Sequence, residues 1–381
     1  GLNGVWRPIG AAVKDFSPEK YITQRKALKV MARDIQLAVA AARLAFDDAQ
    51  MKSNAYLRDR FGVIIGSGVL NHELEELSYS VQSSLGEDGK LDIKRFGEDG
   101  LPALFPLWLL KYLPNMPACH VSILFDLQGP NNTLTTGPSA GLQAVGEAFR
   151  IIQRGAADLM LAGGGESKLN PVGLSQYRVQ GVLANEGITD PKKACQPFSQ
   201  NASGIVVGEG AAFLILEEFE HAKHRGAKIY AEIVGFGSSS PKGRSVAMRA
   251  ALNEAGIEAS KIGLLQACGL SYPKEDVLEI EAMNDIFTGA CKDLTVSCSK
   301  PLIGFTGFSA GAIDLVLSAL ALKNQTVPTS VNFERPQSGF GFKVAQGQSE
   351  EKHIDYAMTN TFGLNGQSAS MILKHTGERV S

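Results

Sequence analysis

The chain has 381 residues, 44% of them hydrophobic, enough to bury a full core in one or two domains. Lys and Arg number 37 against 39 Asp and Glu, a formal net charge of -2, which excludes the basic footprint of a protein that wraps nucleic acid. With 41 glycines and only 20% charged residues, the composition also excludes a disordered chain or a coiled coil and suits a tightly turned α/β protein.

Residues 26–50 place Leu28, Met31, Ile35, Ala38 and Ala41 at helical spacing, which predicts a long amphipathic helix. Phe61-Gly62-Val63-Ile64-Ile65-Gly66 then reads as a buried strand closed by a glycine turn, and residues 158–165 and 211–216 repeat that pattern. The apolar stretch at 101–113 is broken by Pro102, Pro106 and Lys111 and falls short of the ~18 residues a bilayer span needs. A charged seam at 221–228 precedes a second series: strand 229–234, helix 245–255, strand 263–267, helix 276–287, strand 294–297 and a buried helix at 304–323. Buried strands separated by helices predict parallel strands between helical layers. No low-complexity linker divides the series, so the expectation is one body of five layers, α-β-α-β-α, with pseudo-repeated halves at 1–224 and 225–381.

Cys119, Cys195, Cys268, Cys291 and Cys298 are odd in number and form no CxxC pair, so no metal site is indicated and a reducing cytoplasm is expected. No cofactor is expected either. Gly66-Ser67-Gly68 follows a strand as a dinucleotide loop does, but the third glycine and the downstream acidic residue are missing. Gly137-Pro138-Ser139-Ala140-Gly141 fits the G-x-S-x-G nucleophile elbow, and Gly307-Phe308-Ser309-Ala310-Gly311 fits it equally well. In so glycine-rich a chain such matches arise by chance, and only His353 and His375 follow to serve a triad.

Several segments together resemble the elongating β-ketoacyl synthases of type II fatty-acid and polyketide synthesis, members of the thiolase superfamily. Gly129-Pro130 with the following Thr-rich strand resembles the nucleophile region. Ala162-Gly163-Gly164-Gly165-Glu166 resembles the AGGAE turn, and Pro197-Phe198 with Gly208-Glu209-Gly210-Ala211 and Leu216-Glu217-Glu218 the RPFD…GEGA…LEE run. Arg225-Gly226-Ala227 and residues 229–235 match the RGA.IYAE..G strand, and residues 115–120 resemble the N-M-x-x-x-H helix that carries His120. The resemblance implies a thiolase-like fold over nearly the whole chain. The family's first strand and its following helix have no counterpart before Gly1, and a short segment flanking the acyl-pocket entrance is omitted between Ser240 and Ser245.

Register against the family motifs finds the catalytic positions empty. A ketosynthase needs a thiol to carry the acyl group, two histidines and an oxyanion hole. In T-A-C-x-S-G the cysteine position holds Pro138, which brings neither nucleophile nor N–H; A-H-G-T reads Ala267-Cys268-Gly269-Leu270; and K-x-x-x-G-H ends in Phe305. The gating loop F-G-F-G-G-T-N becomes Phe362-Gly363-Leu364-Asn365-Gly366-Gln367-Ser368, so Leu364 and Asn365 hold the gating and oxyanion-loop positions. Lys300 and Glu279 stand where the family keeps a structural lysine and a carboxylate near the site.

The resemblance thus implies a chain-length factor: a non-catalytic subunit, not itself an enzyme, that forms a heterodimer with an active ketosynthase and meets acyl carrier protein through that complex. It would shape the acyl tunnel in polyketide, aryl polyene or fatty-acid synthesis, with residues 101–108, Leu134 and Phe305 as lining and the strand at 131–136 pairing across the two-fold axis. The basic segments Lys192-Lys193 and 221–228 read as a solvated face or as a surface for an acidic carrier. A homodimeric acyl- or carrier-binding scaffold is the alternative. An acyltransferase or hydrolase using Ser139 or Cys268 is the third reading, although Cys268 without a nearby histidine reads as a small hydrophobe.

Overall fold

The computed structural model describes residues 8–51, 56–68, 73–185, 187–240, 243–289, 291 and 293–377. In the first half, β1 (Gly10–Ala11), β2 (Phe61–Gly66), β3 (Asn131–Leu134), β4 (Leu159–Ser167) and β5 (Val207–Glu217) form one sheet in the order β1-β5-β4-β2-β3. In the second, β6 (Glu232–Ser239), β7 (Ile262–Gln266) and β8 (Thr295–Ser297) are followed by the short β9 (Thr326–Val327), β10 (Lys343–Val344) and β11 (Glu350–Glu351), then by β12 (Tyr356–Phe362) and β13 (Ser368–Lys374). Their main sheet runs β10-β8-β7-β12-β13-β6, with β9 and β11 paired apart from it.

Five layers result. Helices Arg33–Asp48 and Met116–Phe125 cover the outer face of the first sheet, and Arg244–Ala255 and Pro273–Phe287 lie outside the second. Helices Ala140–Gln153 and Ala310–Asn324 fill the middle. The central layer demands small residues: a Cβ added to Gly66 would lie 2.3 Å from the Gly141 backbone nitrogen, so strand and helix meet without side chains between them. This is the thiolase-like architecture, and its halves repeat. The order β3-β2-β4-β5 of the first sheet recurs as β8-β7-β12-β13, each ending in an antiparallel pair.

The sheets are therefore mixed rather than parallel throughout: β4 runs against β5, and β13 runs against both β12 and β6. A buried apolar run does not disclose strand direction. Beyond β13 the sheet is completed by β6 along the strand's whole length, whereas beyond β5 the described residues supply only Gly10 opposite Val207 and Ala11 opposite Gly208. Several boundaries also move, among them β5, which begins at Val207, and the helix Pro273–Phe287. The first helix starts at Arg33, because Met31 and Ala32 are extended and Met31 is buried in the core under it. β6 starts at Glu232 and runs on through Gly235, Gly237, Ser238 and Ser239, held by its ladder with β13 rather than by strand propensity. The last long helix starts at Ala310, since Gly304 has φ +73 and Phe305 bridges to Val207.

Candidate functional site

The corner after β3 carries the first family position. Gly137, with φ +66, turns the chain into a single helical turn over Gly137–Ser139 that feeds helix Ala140–Gln153. Pro138 leaves this turn without an N–H at the position in question. Ser139 is fully buried and its hydroxyl donates to the Thr136 carbonyl at 2.9 Å, so its proton is engaged locally. Across from the corner runs the turn 362–368: a Cβ on Gly363 would lie 3.3 Å from Pro138 Cδ.

Cys268 follows β7. Its N–H and that of Gly269 each donate to the Glu279 carboxylate at 2.8 Å, and the Phe362 N–H donates to its sulfur at 3.4 Å. Burial pushes the Cys268 thiol up to about 12, with the Glu279 carboxylate adding to the effect. Phe305 is held as a β-bridge residue: its N–H donates to Val206 O at 2.7 Å and its carbonyl accepts from Gly208 N at 2.8 Å. Its ring meets Tyr177 edge-on, centroids 6.3 Å apart. Cys268, Phe305 and Phe362 belong to one buried apolar cluster with Phe198, Leu270 and Ala310, against which Leu364 packs. Asn365 is exposed at the tip of its turn. The turn thus touches Pro138 on one side and Cys268 on the other.

The charged groups around this cluster hold backbone and one another. Lys300, 2% exposed, pairs with Asp314, 0% exposed, which also accepts from the Ser299 hydroxyl at 2.6 Å and from Gln266 Nε2 at 3.3 Å. Burial works against the Lys300 ammonium, but the adjoining Asp314 carboxylate outweighs it and raises its pKa above the ordinary lysine range. The lysine's carboxylate partner is Asp314, which no motif in the sequence marks and which sits on a mostly apolar helix. Asp276 accepts from Phe198 N and Leu270 N at 2.9 Å each, and burial pushes its carboxyl up to about 7. Glu166 accepts from Phe308 N at 3.0 Å and lies 3.8 Å from Lys168, whose Nζ stands 5.0 Å from the Phe308 ring centroid and 5.4 Å from that of Tyr177.

The remaining candidates disperse. Leu101, Phe105 and Leu107 are 54%, 50% and 50% exposed, so they lie on the surface of this chain rather than around an enclosed space. Leu134 packs at the margin of the middle-layer core. Within helix Met116–Phe125, His120 Nε2 is buried with no partner among the described residues, and burial lowers its pKa. In the basic segment, Arg225 and His221 both engage Glu217, at 2.7 and 2.5 Å, so two of its side chains are tied to the body of the protein. His353 pairs with Asp355 on the surface, well outside the Ser139 corner. Among the described residues no group of His, Cys, Asp and Glu is placed to hold a metal, and no helix is long and apolar enough to cross a membrane. A cavity of about 340 Å³ lies elsewhere, lined by Arg33, Asp34, Glu73, Ser167, Asn170 and Glu209 among others; nothing in the sequence reading pointed to it, although Asp34 shares the buried helical stripe of Ala38 and Ala42.

Two pseudo-repeated halves that together make five layers, meeting at this corner with the loops after β7 and β8 and the turn 362–368, define a thiolase-fold protein. The chain belongs to the β-ketoacyl synthase family: residues 4–222 match the model of the N-terminal domain of β-ketoacyl synthases and residues 224–334 that of the C-terminal domain. It is 33% identical over 377 residues to 3-oxoacyl-[acyl-carrier-protein] synthase 2 of Staphylococcus aureus strain COL, covering 96% of this chain and 87% of that protein. Among solved structures it is similar to a β-ketoacyl synthase from Burkholderia phymatum STM815, with TM-score 0.84, 28% identity and coverage of 96% and 88% of the two chains. It is also similar to the ishigamide ketosynthase/chain length factor, with TM-score 0.82, 25% identity and coverage of 96% and 87%.

Proposed function

We propose that this chain is the non-catalytic member of a ketosynthase pair, a chain-length factor that docks on an active ketosynthase and contributes wall to the acyl tunnel. The observation that carries the reading is the packing of the would-be catalytic positions: Cys268 and Phe305 are each 1% exposed inside a single apolar cluster, and Pro138 offers neither thiol nor N–H. A decarboxylative condensation needs a nucleophile, proton-transfer groups and an oxyanion hole, and this arrangement supplies none of them. The ketosynthase/chain length factor among the similar structures supports the pairing, and among the described residues no strand pairs with the outward edge of β3, at the end of its sheet, so a partner strand can extend it. The partner brings the cysteine and the two histidines, and acyl carrier protein delivers to the complex.

The test is co-expression with an active ketosynthase from the same genome, followed by measurement of mass and stoichiometry and by condensation assays with acyl- and malonyl-carrier protein. A stable 1:1 complex that condenses, beside an inert lone chain, is the expected result. Turnover by the chain alone refutes the reading, and a homodimer that ignores the ketosynthase replaces it with a homodimeric scaffold.

A further inference from the structure

Arg244 opens helix Arg244–Ala255 and is only 9% exposed. Its Nη1 donates to the Glu275 carbonyl at 2.5 Å, its Nη2 pairs with the Glu275 carboxylate, and its Cζ lies 4.9 Å from the centroid of the Phe362 ring. Phe362 ends β12 and begins the turn that faces Pro138, and its backbone N–H donates to Cys268 Sγ at 3.4 Å. Cys268 in turn donates its N–H to Glu279, one helical turn beyond Glu275 on helix Pro273–Phe287. The contacts close a ring: Arg244, Phe362, Cys268, Glu279, Glu275 and back to Arg244. It ties together the ends of β7 and β12 and two outer helices.

A guanidinium held between a carboxylate and an aromatic face and largely out of water is pre-organised, the setting in which cation–π attraction is strongest. The turn itself is braced by Gly363 N to Gln367 O at 2.7 Å and Gly366 N to Gly363 O at 3.0 Å. For the turn to swing away from Pro138, Phe362 has to leave the Arg244 face and Cys268 has to lose its backbone contact.

We propose that Arg244 is a latch that keeps the turn 362–368 closed over the Pro138 corner, so that this subunit shuts out a carrier-borne acyl thioester and leaves it to the partner. The identity of the excluded arm rests on the chain-length-factor reading; the latch does not, and it is tested on the chain alone. Cys268 is the reporter and methyl methanethiosulfonate the probe: the cysteine sulfur attacks the probe's sulfenyl sulfur, forms a methyl disulfide and releases methanesulfinate. Labelling is followed by peptide mass spectrometry, with the buried Cys195 as the reference for global unfolding.

In the parent protein Cys268 labels slowly, because it is buried and its thiol is held up to about 12. In Arg244→Ala the Cys268 rate rises at least tenfold while Cys195 is unchanged, and amide exchange quickens at 363–367 alone. Phe362→Leu, which keeps apolar filling and removes the ring face, gives the same local opening. The double variant opens no further than the more open single variant, the signature of two groups acting through one contact. Unchanged Cys268 labelling in Arg244→Ala overturns the latch, and so does a parallel rise at Cys195 in both single variants. Failure here leaves the stoichiometry of a ketosynthase complex untouched, and a lone homodimer leaves these labelling rates untouched.

Discussion

Lys300 is the group most easily mistaken for a surviving piece of catalytic machinery, and its replacement by Met separates structure from chemistry. Lys300→Met keeps the aliphatic stem and removes the charge from a pair whose members are 2% and 0% exposed. Removing one partner of a buried pair leaves the other charge uncompensated, at a cost of about 3–5 kcal/mol. Asp314 retains the Ser299 hydroxyl and Gln266 amide donors, which places the expected loss at the lower end, about 3 kcal/mol. Taking a urea slope of about 3 kcal/mol/M, the unfolding midpoint falls by roughly 1 M at fixed protein concentration. The double variant Lys300→Met/Asp314→Asn removes the orphan charge yet leaves a side-chain oxygen for Ser299 and Gln266, so it recovers to within about 1 kcal/mol of the parent. A single variant whose midpoint stays within about 0.3 M of the parent, or a double variant no better than the single, refutes the account of a structural pair.

Thr133→Pro tests the edge strand: the Pro130 and Leu134 carbonyls point to β2, so the alternating Thr133 N–H points away from it, where it donates to Asn132 Oδ1 at 2.8 Å; proline removes this donor, leaves the inner ladder intact and keeps the N–H from re-pairing with a partner strand. Its complex with the ketosynthase is lost on size exclusion with the circular dichroism spectrum unchanged; an undiminished complex counts against pairing through β3. Asp34, whose carboxyl is pushed by burial from 3.8 up to about 7, holds a proton in the folded chain across that window which the unfolded chain has lost. Stability therefore falls as pH rises through the window, and Asp34→Asn removes the fall, gaining roughly 2–4 kcal/mol over the parent at pH 8 and nothing near pH 3, read from urea midpoints at each pH. A fluorophosphonate leaves Ser139 unlabelled, since its hydroxyl is 0% exposed and donates to Thr136; an adduct on Ser139 by mass spectrometry restores the hydrolase reading. Phe305→His, which restores one family imidazole, places a polar ring in the apolar cluster without a designed partner and lowers stability by about 2–4 kcal/mol. Because burial depresses the imidazole pKa, that loss deepens as pH drops below about 6.5, whereas a variant equal to the parent at pH 5.5 shows that the site accommodates charge.

The hydrophobic runs of β2 and β4 were legible because strands buried on both faces read as continuous apolar segments, the apolar run of β5 was legible although its later residues are only partly buried, and helix Arg244–Ala255 was legible to within a residue. Strand direction was not, because β13 looks the same beside a parallel or an antiparallel neighbour. The second half of β6, beyond the strand expected at 229–234, hid for a different reason: its glycines and serines carry no strand signal, and only pairing with β13 makes them a strand. At the site, motif register located Pro138, Cys268 and Phe305 but could not say that two of them share one cluster with Phe362. Arg244 and Asp314 escaped notice because their importance lies in partners more than ten residues away, Glu275 and Lys300, to which no local pattern points.

The disposition of charge argues for shape over chemistry more strongly than the missing cysteine does. The apolar cluster is ringed by buried carboxylates, yet each is already committed: Glu279 to Cys268 and Gly269 N–H, Asp276 to Phe198 and Leu270 N–H, Glu166 to Phe308 N–H, Asp314 to Lys300 and Ser299. A carboxylate that accepts two backbone N–H groups fixes the loop or loops that carry them, and withdrawing it to move a proton unpairs both donors at about 1–3 kcal/mol each. The acids that survive are therefore struts, and they set the positions of the same loops that a live ketosynthase has to present. These carboxylates frame a cluster that Phe305 and Phe362 help to fill and against which Leu364 packs. Under the pairing proposed above, such a surface serves a partner subunit through where it holds its backbone, and the four carboxylates named here are engaged in holding it.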